Sequence, residues 1–137
     1  MDTEVYRLLE LCDNDFTPPL SARNPGGLKA YYKKLKSYRL GRAYNSKGKL
    51  IGLITWKDRK TSAYLKVVMV HPDYRGQGIG RMLYDLCERQ SKAKRINVKT
   101  WAGNRVQMEL LPKRGYREVK RDNDARTTVY WTLDVDK

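Results

Sequence analysis

The chain has 137 residues and a mass of 16.0 kDa, the length of one ordinary domain, so we expect residues 1–137 to form a single domain. Its residues are 40% hydrophobic and 32% charged, which allows a core and explains the mean hydropathy of -0.77 without disorder. No segment approaches the roughly 18 apolar residues of a membrane helix, and the acidic start lacks the apolar core of a secretion signal. Cys12 and Cys87 show no CxxC spacing, which favours a reducing cytoplasm over a disulfide framework or a zinc finger.

The charges are unevenly distributed along the chain. Lys and Arg total 29 against 15 Asp and Glu, which gives a formal net charge of +14. Residues 29–60 hold 11 basic side chains and 1 acidic one, and residues 75–121 hold 13 basic and 4 acidic ones. This excess fits a polyanionic partner, such as a phosphate-rich cofactor, nucleic acid or an acidic protein face, and fits equally well a solvated surface that keeps the chain soluble.

The first half of the chain changes from a helical to a strand periodicity. Apolar residues at helical spacing predict a helix over residues 3–12 and, after the breaker NPGG, a second helix over residues 28–37 with a lysine face. Strands are then predicted over residues 38–44, 50–56 and 63–70, separated by turn sequences. The third strand ends in the run VVMV, which is typical of a central strand buried on both faces.

The second half begins with the clearest amphipathic segment. Residues 79–90 are predicted to form a helix whose stripe of Met82, Leu83 and Leu86 belongs to the core. The remaining predicted elements are a strand over residues 95–100, a helix over residues 104–111 closed by Pro112, a strand over residues 116–120 and a last strand over residues 129–135. The order ααβββαβαββ predicts an α/β (α+β) fold, with helices flanking a mixed, mostly antiparallel central sheet.

The junction of the third strand and third helix reads VHPDYRGQGIGR and carries the most specific signal. Gly76, Gly78 and Gly80 lie at the first turn of the helix, where they let the backbone approach a ligand and leave N–H groups pointing outward. The positive end of the helix dipole and the charges of Arg75 and Arg81 predict a phosphate or pyrophosphate site there. A Walker loop and the GxGxxG fingerprint do not fit, whereas R-x-x-G-x-G does.

This stretch, VMVHPDYRGQGIGRMLYDL, resembles the acetyl-CoA-binding motif of the GNAT N-acetyltransferase superfamily. Asn104 and the segment LLPKRGY resemble the family's second block, an Asn-initiated helix followed by Y-x-x-x-G-F. By the order of elements the resemblance covers residues 38–135 as a cofactor-binding core. Residues 1–37 match less closely, lack the family's opening strand and would form a helical segment on the acceptor side.

The resemblance implies a metal-independent enzyme that transfers acetyl from acetyl-CoA to a primary amine of a small molecule, peptide or protein by direct attack. The third strand would splay from the strand at residues 95–100, and the pantetheine arm would pair with it. The backbone N–H of Val70 would stabilise the oxyanion, although no catalytic side chain is assigned. The implied cofactor-binding residues are Val68, Met69, Val70, Arg75, Gly76, Gln77, Gly78, Ile79, Gly80, Arg81 and Asn104.

Two positions depart from the family pattern. Leu111 stands where many members have a tyrosine that protonates the leaving thiolate, and Lys99 where some have a glutamate base. For Asp15 and His71, the simpler interpretations are turn chemistry and a strand-end position beside a proline. The candidates for the missing base are Tyr116, Glu109, Asp15 and His71.

Several structural and functional alternatives remain open at this stage. Asn104 could be only a helix N-cap, and Arg75 only a surface charge. Residues 16–23 are the hypothesis for acceptor contact, with Tyr31 and Tyr32 as possible pocket residues. The alternative function is a catalytically weak basic module of the same fold that binds RNA, the ribosome or an acidic protein, and either a monomer or a homodimer fits the sequence.

Overall fold

The computed structural model describes residues 2–16, 18–123 and 126–135, and its elements follow the predicted order. The helices are α1 (Thr3–Cys12), α2 (Gly27–Leu35), α3 (Ile79–Gln90) and α4 (Arg105–Lys113). The strands are β1 (Arg39–Tyr44), β2 (Leu50–Asp58), β3 (Ala63–Val70), β4 (Arg95–Trp101), β5 (Arg117–Asn123) and β6 (Thr127–Asp134).

The six strands form one sheet in the order β1-β2-β3-β4-β6-β5. The pairs β1–β2, β4–β6 and β5–β6 are antiparallel, whereas β3 and β4 are parallel. The parallel register joins Ala63–Leu65 to Ile96–Val98, which accounts for the first three residues of β3. These observations confirm the predicted fold class, with helices flanking a mixed and mostly antiparallel sheet.

The predicted bounds of α2, β1, β2, β4 and β6 shift by one or two residues, and those of α4 and β5 differ in more informative ways. Pro112 lies inside α4 rather than closing it, and because proline has no backbone N–H, one hydrogen bond of the helix is missing in its last turn. The C-terminal N–H groups of Arg114 and Gly115 then close the helix. Strand β5 runs on to Asn123, because its residues after Lys120 pair in register with β6.

Two expectations about burial also need correction. Strand β3 is central in the sheet, but it alternates: Val67 and Met69 are buried, whereas Val68 and Val70 are only half-buried. The strand that is buried along both faces is β2, from Leu50 to Trp56. In α3 the buried side chains are Leu83, Tyr84 and Cys87, and Met82 is 47% exposed because it lies at the edge of the apolar stripe.

The chain divides into two compact units. The first comprises residues up to Lys57 together with Val67–Gln90, and its core brings the apolar faces of α1 and α2 together with residues of β2 and β3. Helix α1 begins at an N-cap, where the side chain of Asp2 accepts from Val5 N at 3.2 Å. Its buried face follows the predicted helical spacing and comprises Val5, Leu8, Leu9 and Cys12.

The second unit comprises Asp58–Lys66 and the chain from Ser91 onward. Its antiparallel strands β4, β6 and β5 are joined by side-chain bonds: Trp131 Nε1 donates to Thr100 Oγ1 at 3.0 Å, for example. Ile96 and Val129 are fully buried in this unit, as is Leu111 of α4. In the described part of the chain, we find no helix with the length and apolar character needed to cross a membrane.

Gly41 of β1 marks a close approach within the first unit. A Cβ atom at this position would lie 2.7 Å from Ile54 Cγ2 and 2.7 Å from Leu86 Cδ2. We expect Gly41→Ala to lower the free energy of unfolding by about 1–3 kcal/mol, because the packed side chains must shift. Urea denaturation measures this, with Ser46→Ala in the exposed β1–β2 turn as a control that changes stability by about 0.5 kcal/mol or less. Equal stability of Gly41→Ala and the natural chain would contradict the packing described.

Candidate active site

The segment between β3 and α3 has a backbone path that requires glycine. Gly76 has φ 77° and Gly78 has φ 82°, in the left-handed region that side chains with a Cβ rarely adopt. An added Cβ at either position would have no heavy atom within 4 Å, and one at Gly80 would lie 4.0 Å from Val70 Cγ2. The glycines therefore leave an open approach to the backbone of this loop.

The same loop presents backbone donors at the start of a 12-residue helix. The hydrogen bond from Met82 N to Gly78 O, at 3.1 Å, begins the helical ladder, so the N–H groups of Gly76 to Arg81 precede it. Outward N–H groups and the positive end of the helix dipole together favour an anion. The loop thus presents backbone donors at the place where the sequence motif predicts a phosphate or pyrophosphate site.

The peptide that follows Val70 is held from two sides within the first unit. The N–H of His71 donates to Ile51 O on β2 at 2.7 Å. The carbonyl of Val70 accepts from Arg75 Nε at 3.2 Å and from Cys12 Sγ at 3.6 Å. Because successive N–H groups of a strand point to opposite edges, the N–H of Val70 faces away from β2. These contacts therefore hold the end of β3 with the Val70 N–H directed to the edge opposite β2.

The guanidinium of Arg75 forms an ion pair with Asp15 and contacts the Cys12 sulfur. Its Nη2 group donates to Asp15 Oδ2 and lies 3.9 Å from Cys12 Sγ. The hydrogen bond to Asp15 raises the pKa of Arg75, so the guanidinium stays positively charged at neutral and alkaline pH. Arg75 is thus more than an isolated surface charge, and its side chain connects the glycine loop to the segment after α1.

Cys12 is a residue of this cluster that sequence reasoning missed. Its side chain is 1% exposed, and burial raises the pKa of the thiol, as does the nearby carboxylate of Asp15, while Arg75 acts in the opposite direction. The thiol therefore remains protonated near neutral pH and can donate to the carbonyl of Val70. No local pattern indicates this contact, because Cys12 and Val70 are 58 residues apart in the sequence.

In the expected acceptor segment, residues 16–23, position 17 lies outside the described residues, and the others are held by several contacts. Asp13 accepts from Ser21 twice, from the backbone N at 2.8 Å and from the hydroxyl at 2.6 Å. Arg23 Nε donates to Pro18 O at 3.1 Å, and its guanidinium lies 5.7 Å from the centre of the Phe16 ring. Asp15 lies in the 3-10 turn Asp13–Asp15, and Tyr31 and Tyr32 are buried in the core beside this segment.

His71 has a structural role at the end of β3. It is 7% exposed, and its Nδ1 accepts from the backbone N of Asp73 at 3.1 Å, which places the proton of the neutral ring on Nε2. Its ring also meets the ring of Tyr74 edge-on at 5.5 Å. These contacts agree with the simpler interpretation of His71 as a strand-end residue.

The remaining sequence candidates lie in the second unit. Asn104 is the N-cap of α4, where its Oδ1 accepts from Gln107 N at 3.2 Å, and the cap leaves the Nδ2 group as a chemically suitable donor. Leu111 and Tyr116 are buried, whereas Glu109 is exposed. Lys99 lies with its ammonium 6.0 Å from the centre of the Tyr64 ring.

Among residues 2–16, 18–123 and 126–135, no three side chains of His, Cys, Asp or Glu are grouped so that they could hold a metal ion. The ten cofactor-binding candidates from Val68 to Arg81 lie on one strand, loop and helix of the first unit, while Asn104 belongs to the second.

Comparison with known proteins identifies the family of this chain. The sequence profile of the Acetyltransferase (GNAT) family matches residues 4–116, which is most of the chain. A search of curated proteins returned no match. Because the profile spans both the glycine loop and α4, the chain belongs to the GNAT acetyltransferase family.

Solved structures show the same fold. The ribosomal-protein-S18-alanine N-acetyltransferase of Escherichia coli has 18% identity and a TM-score of 0.73, covering 98% of this chain and 88% of that one. An aminoglycoside 6'-N-acetyltransferase complexed with coenzyme A has 13% identity and a TM-score of 0.76, with coverages of 98% and 91%. Nourseothricin acetyltransferase is longer: with 19% identity and a TM-score of 0.65, the match covers 73% of this chain and 66% of that one.

Family membership confirms three expectations: the resemblance to the GNAT superfamily, the acetyltransferase class and acetyl-CoA as the acyl donor. The family profile includes the glycine loop, whose open backbone fits such a donor.

The raised pKa of the Cys12 thiol predicts a pH effect on stability. An unfolded thiol ionises above about pH 8.5, whereas the folded one stays protonated, so ionisation favours unfolding as the pH rises. The stability of the natural chain relative to Cys12→Ala is therefore greatest below that pH and declines above it. Chemical denaturation of both chains from pH 7 to about pH 10 measures the difference. A difference that stays constant over this range would contradict the protonated, buried thiol.

Proposed function

We propose that this chain is an N-acetyltransferase that transfers acetyl from acetyl-CoA to a primary amine of a small molecule, peptide or protein by direct attack. The observation that carries the proposal is the glycine loop at the head of α3. Its positive-φ glycines and its N–H groups ahead of the helical ladder follow directly after a central strand. The two free thiols in the described residues fit a cytoplasmic setting.

The coenzyme is proposed to lie along the loop and the end of β3. The diphosphate oxygens accept hydrogen bonds from the N–H groups of residues 76–81, and the pantetheine arm pairs with the backbone of residues 68–70. The register between β3 and β4 ends at Leu65, which supports a role for the later part of β3 in ligand binding. Asn104 is proposed to donate through Nδ2 to a carbonyl of the arm.

The chemical step needs little more than positioning. The amine nitrogen attacks the thioester carbonyl, a C–N bond forms, and the N–H of Val70 donates to the oxyanion that develops. Collapse of the intermediate breaks the C–S bond and releases the coenzyme thiolate, and the proton that the nitrogen loses passes through solvent to this thiolate to give the free thiol. Leu111 cannot protonate the thiolate and Lys99 is not a carboxylate base, so orientation of the reactants supplies most of the effect.

The acceptor is proposed to bind beside residues 16–23, which the contacts of Asp13 and Arg75 hold near the end of β3. Two neighbours in fold are described as acting on amines, one a ribosomal-protein alanine and the other an aminoglycoside. These names support an amine acceptor for this chain, and both a small molecule and a protein are compatible with them.

A second candidate is a catalytically weak module that binds RNA, the ribosome or an acidic protein. It is favoured by Leu111 and Lys99 at the usual acid and base positions and by the net excess of ten basic charges over residues 29–60. Binding of this kind weakens steeply with salt, because counterions compete for the polyanion. Binding that does not change with salt would argue against this candidate.

Thermal unfolding with acetyl-CoA and free coenzyme A tests the main proposal. At a hundredfold excess over Kd, a ligand that binds only the folded chain adds about 2.7 kcal/mol of stability. A thiol-release assay against a panel of amines and basic peptides then reports transfer. A well-folded sample whose stability changes with neither ligand would count decisively against the proposal.

Gly78 and Gly48 form a matched pair for locating the coenzyme, because both have positive φ and open space around an added Cβ. Gly78→Ala places a side chain at positive φ and should cost about 1–2 kcal/mol while reshaping the loop, so coenzyme affinity should fall at least about tenfold. Gly48→Ala in the exposed β1–β2 turn carries the same backbone strain at φ 79° and should preserve the affinity. Titration calorimetry with coenzyme A measures both, and equal affinities of the two variants would argue against binding at this loop.

A further inference from the structure

We propose that Arg75 is a positioning residue that holds the acceptor side of the site against the end of β3, rather than a ligand of the coenzyme diphosphate. The inference rests on the proposed function and deepens it, because it assigns a separate task to the one charged residue of the R-x-x-G-x-G motif. It also changes the role that the sequence motif implied for this side chain.

The first support is the geometry of the guanidinium. Its Nε group donates to the carbonyl of Val70, and its Nη2 group donates to the carboxylate of Asp15. These two groups form one edge of the planar fork, so a single side chain satisfies a backbone acceptor and a carboxylate at once. To reach a diphosphate with this edge, Arg75 would have to give up both partners.

The second support is the peptide that Arg75 holds. Its Nε bond and the thiol of Cys12 both reach the carbonyl of Val70, while the N–H of the same peptide bonds to Ile51. The preceding N–H, that of Val70, is the proposed oxyanion donor. A small displacement of this peptide therefore redirects the donor, and a displacement of about 1 Å can reduce a rate by about a hundredfold.

The third support is the position of Asp15. It ends the 3-10 turn Asp13–Asp15, immediately before the acceptor segment of residues 16–23. Asp13, at the start of this turn, holds the same segment through Ser21. The pair between Arg75 and Asp15 therefore connects the start of the glycine loop to the base of the acceptor segment, 60 residues away in the chain.

The experiment compares Arg75→Gln, Arg75→Lys and Asp15→Asn, with Arg81→Gln as the matched arginine variant on α3. Three quantities are measured: the Kd of coenzyme A by titration calorimetry, the rate of thiol release from acetyl-CoA with hydroxylamine as the probe nucleophile, and amide hydrogen exchange over residues 13–23. Thermal unfolding verifies that each variant folds. Asp15 has 43% of its side chain exposed, so Asp15→Asn supplies a test should the Arg75 variants unfold.

A positioning role predicts the same pattern for all three variants at Arg75 and Asp15. Thiol release falls at least about tenfold and exchange over residues 13–23 accelerates, while the Kd of coenzyme A stays close to that of the natural chain. Lysine does not rescue, because a single ammonium on a flexible stem does not reproduce the two-acceptor fork. The double variant of Arg75→Gln and Asp15→Asn should be no worse than Arg75→Gln alone, because both substitutions remove one interaction. Arg81→Gln leaves exchange over residues 13–23 unchanged.

A diphosphate ligand predicts the opposite pattern, and observing it would overturn the proposal. Arg75→Gln would then weaken coenzyme A binding at least about tenfold, Arg75→Lys would retain it, and Asp15→Asn would have no effect on rate or exchange. Failure of the natural chain to bind coenzyme A would instead contradict the proposed function. In that case hydrogen exchange alone decides whether Arg75 holds the acceptor segment, since it needs no ligand.

Discussion

The backbone path from β3 into α3 is the constraint on which the candidate site depends. Positive φ values at Gly76 and Gly78 turn the chain so that α3 starts with its N–H groups ahead of the helical ladder. Residues with a Cβ adopt these angles only at a cost, so the glycine pattern in the sequence corresponds to a specific shape. Because the loop follows a central strand, it places the proposed anion-binding terminus of α3 directly after the backbone of β3 that is proposed to pair with an extended ligand.

Much of this arrangement could be predicted from the sequence, because it is encoded locally. The bounds of α1, β3 and α3 agree with their apolar periodicity, and the motif located the loop and the acyl donor. Where prediction failed, the determinants are distant in the chain. Strand β5 extends to Asn123 because β6 pairs with it, whereas Met82 is exposed because it lies at the edge of the apolar stripe of α3.

The contacts of Arg75 show the same limit at the site itself. The motif identifies this arginine as a charge beside a phosphate-binding loop, yet its side chain bonds to Asp15 and to the carbonyl of Val70. The Asp15 partner lies 60 residues earlier in the chain, so no spacing rule indicates the pair. Cys12 joins the cluster for a related reason: it lies at the end of the buried face of α1, which packs near the end of β3.

We propose that the N–H groups of Gly76 to Arg81 donate to the coenzyme diphosphate while the end of β3 pairs with the pantetheine arm. An amide-resolved NMR titration with coenzyme A tests this most directly, because it observes each backbone N–H separately. The largest shifts are expected at residues 76–81 and 68–70. Saturable binding whose largest shifts fall elsewhere in the chain, with these amides unchanged, would contradict the site.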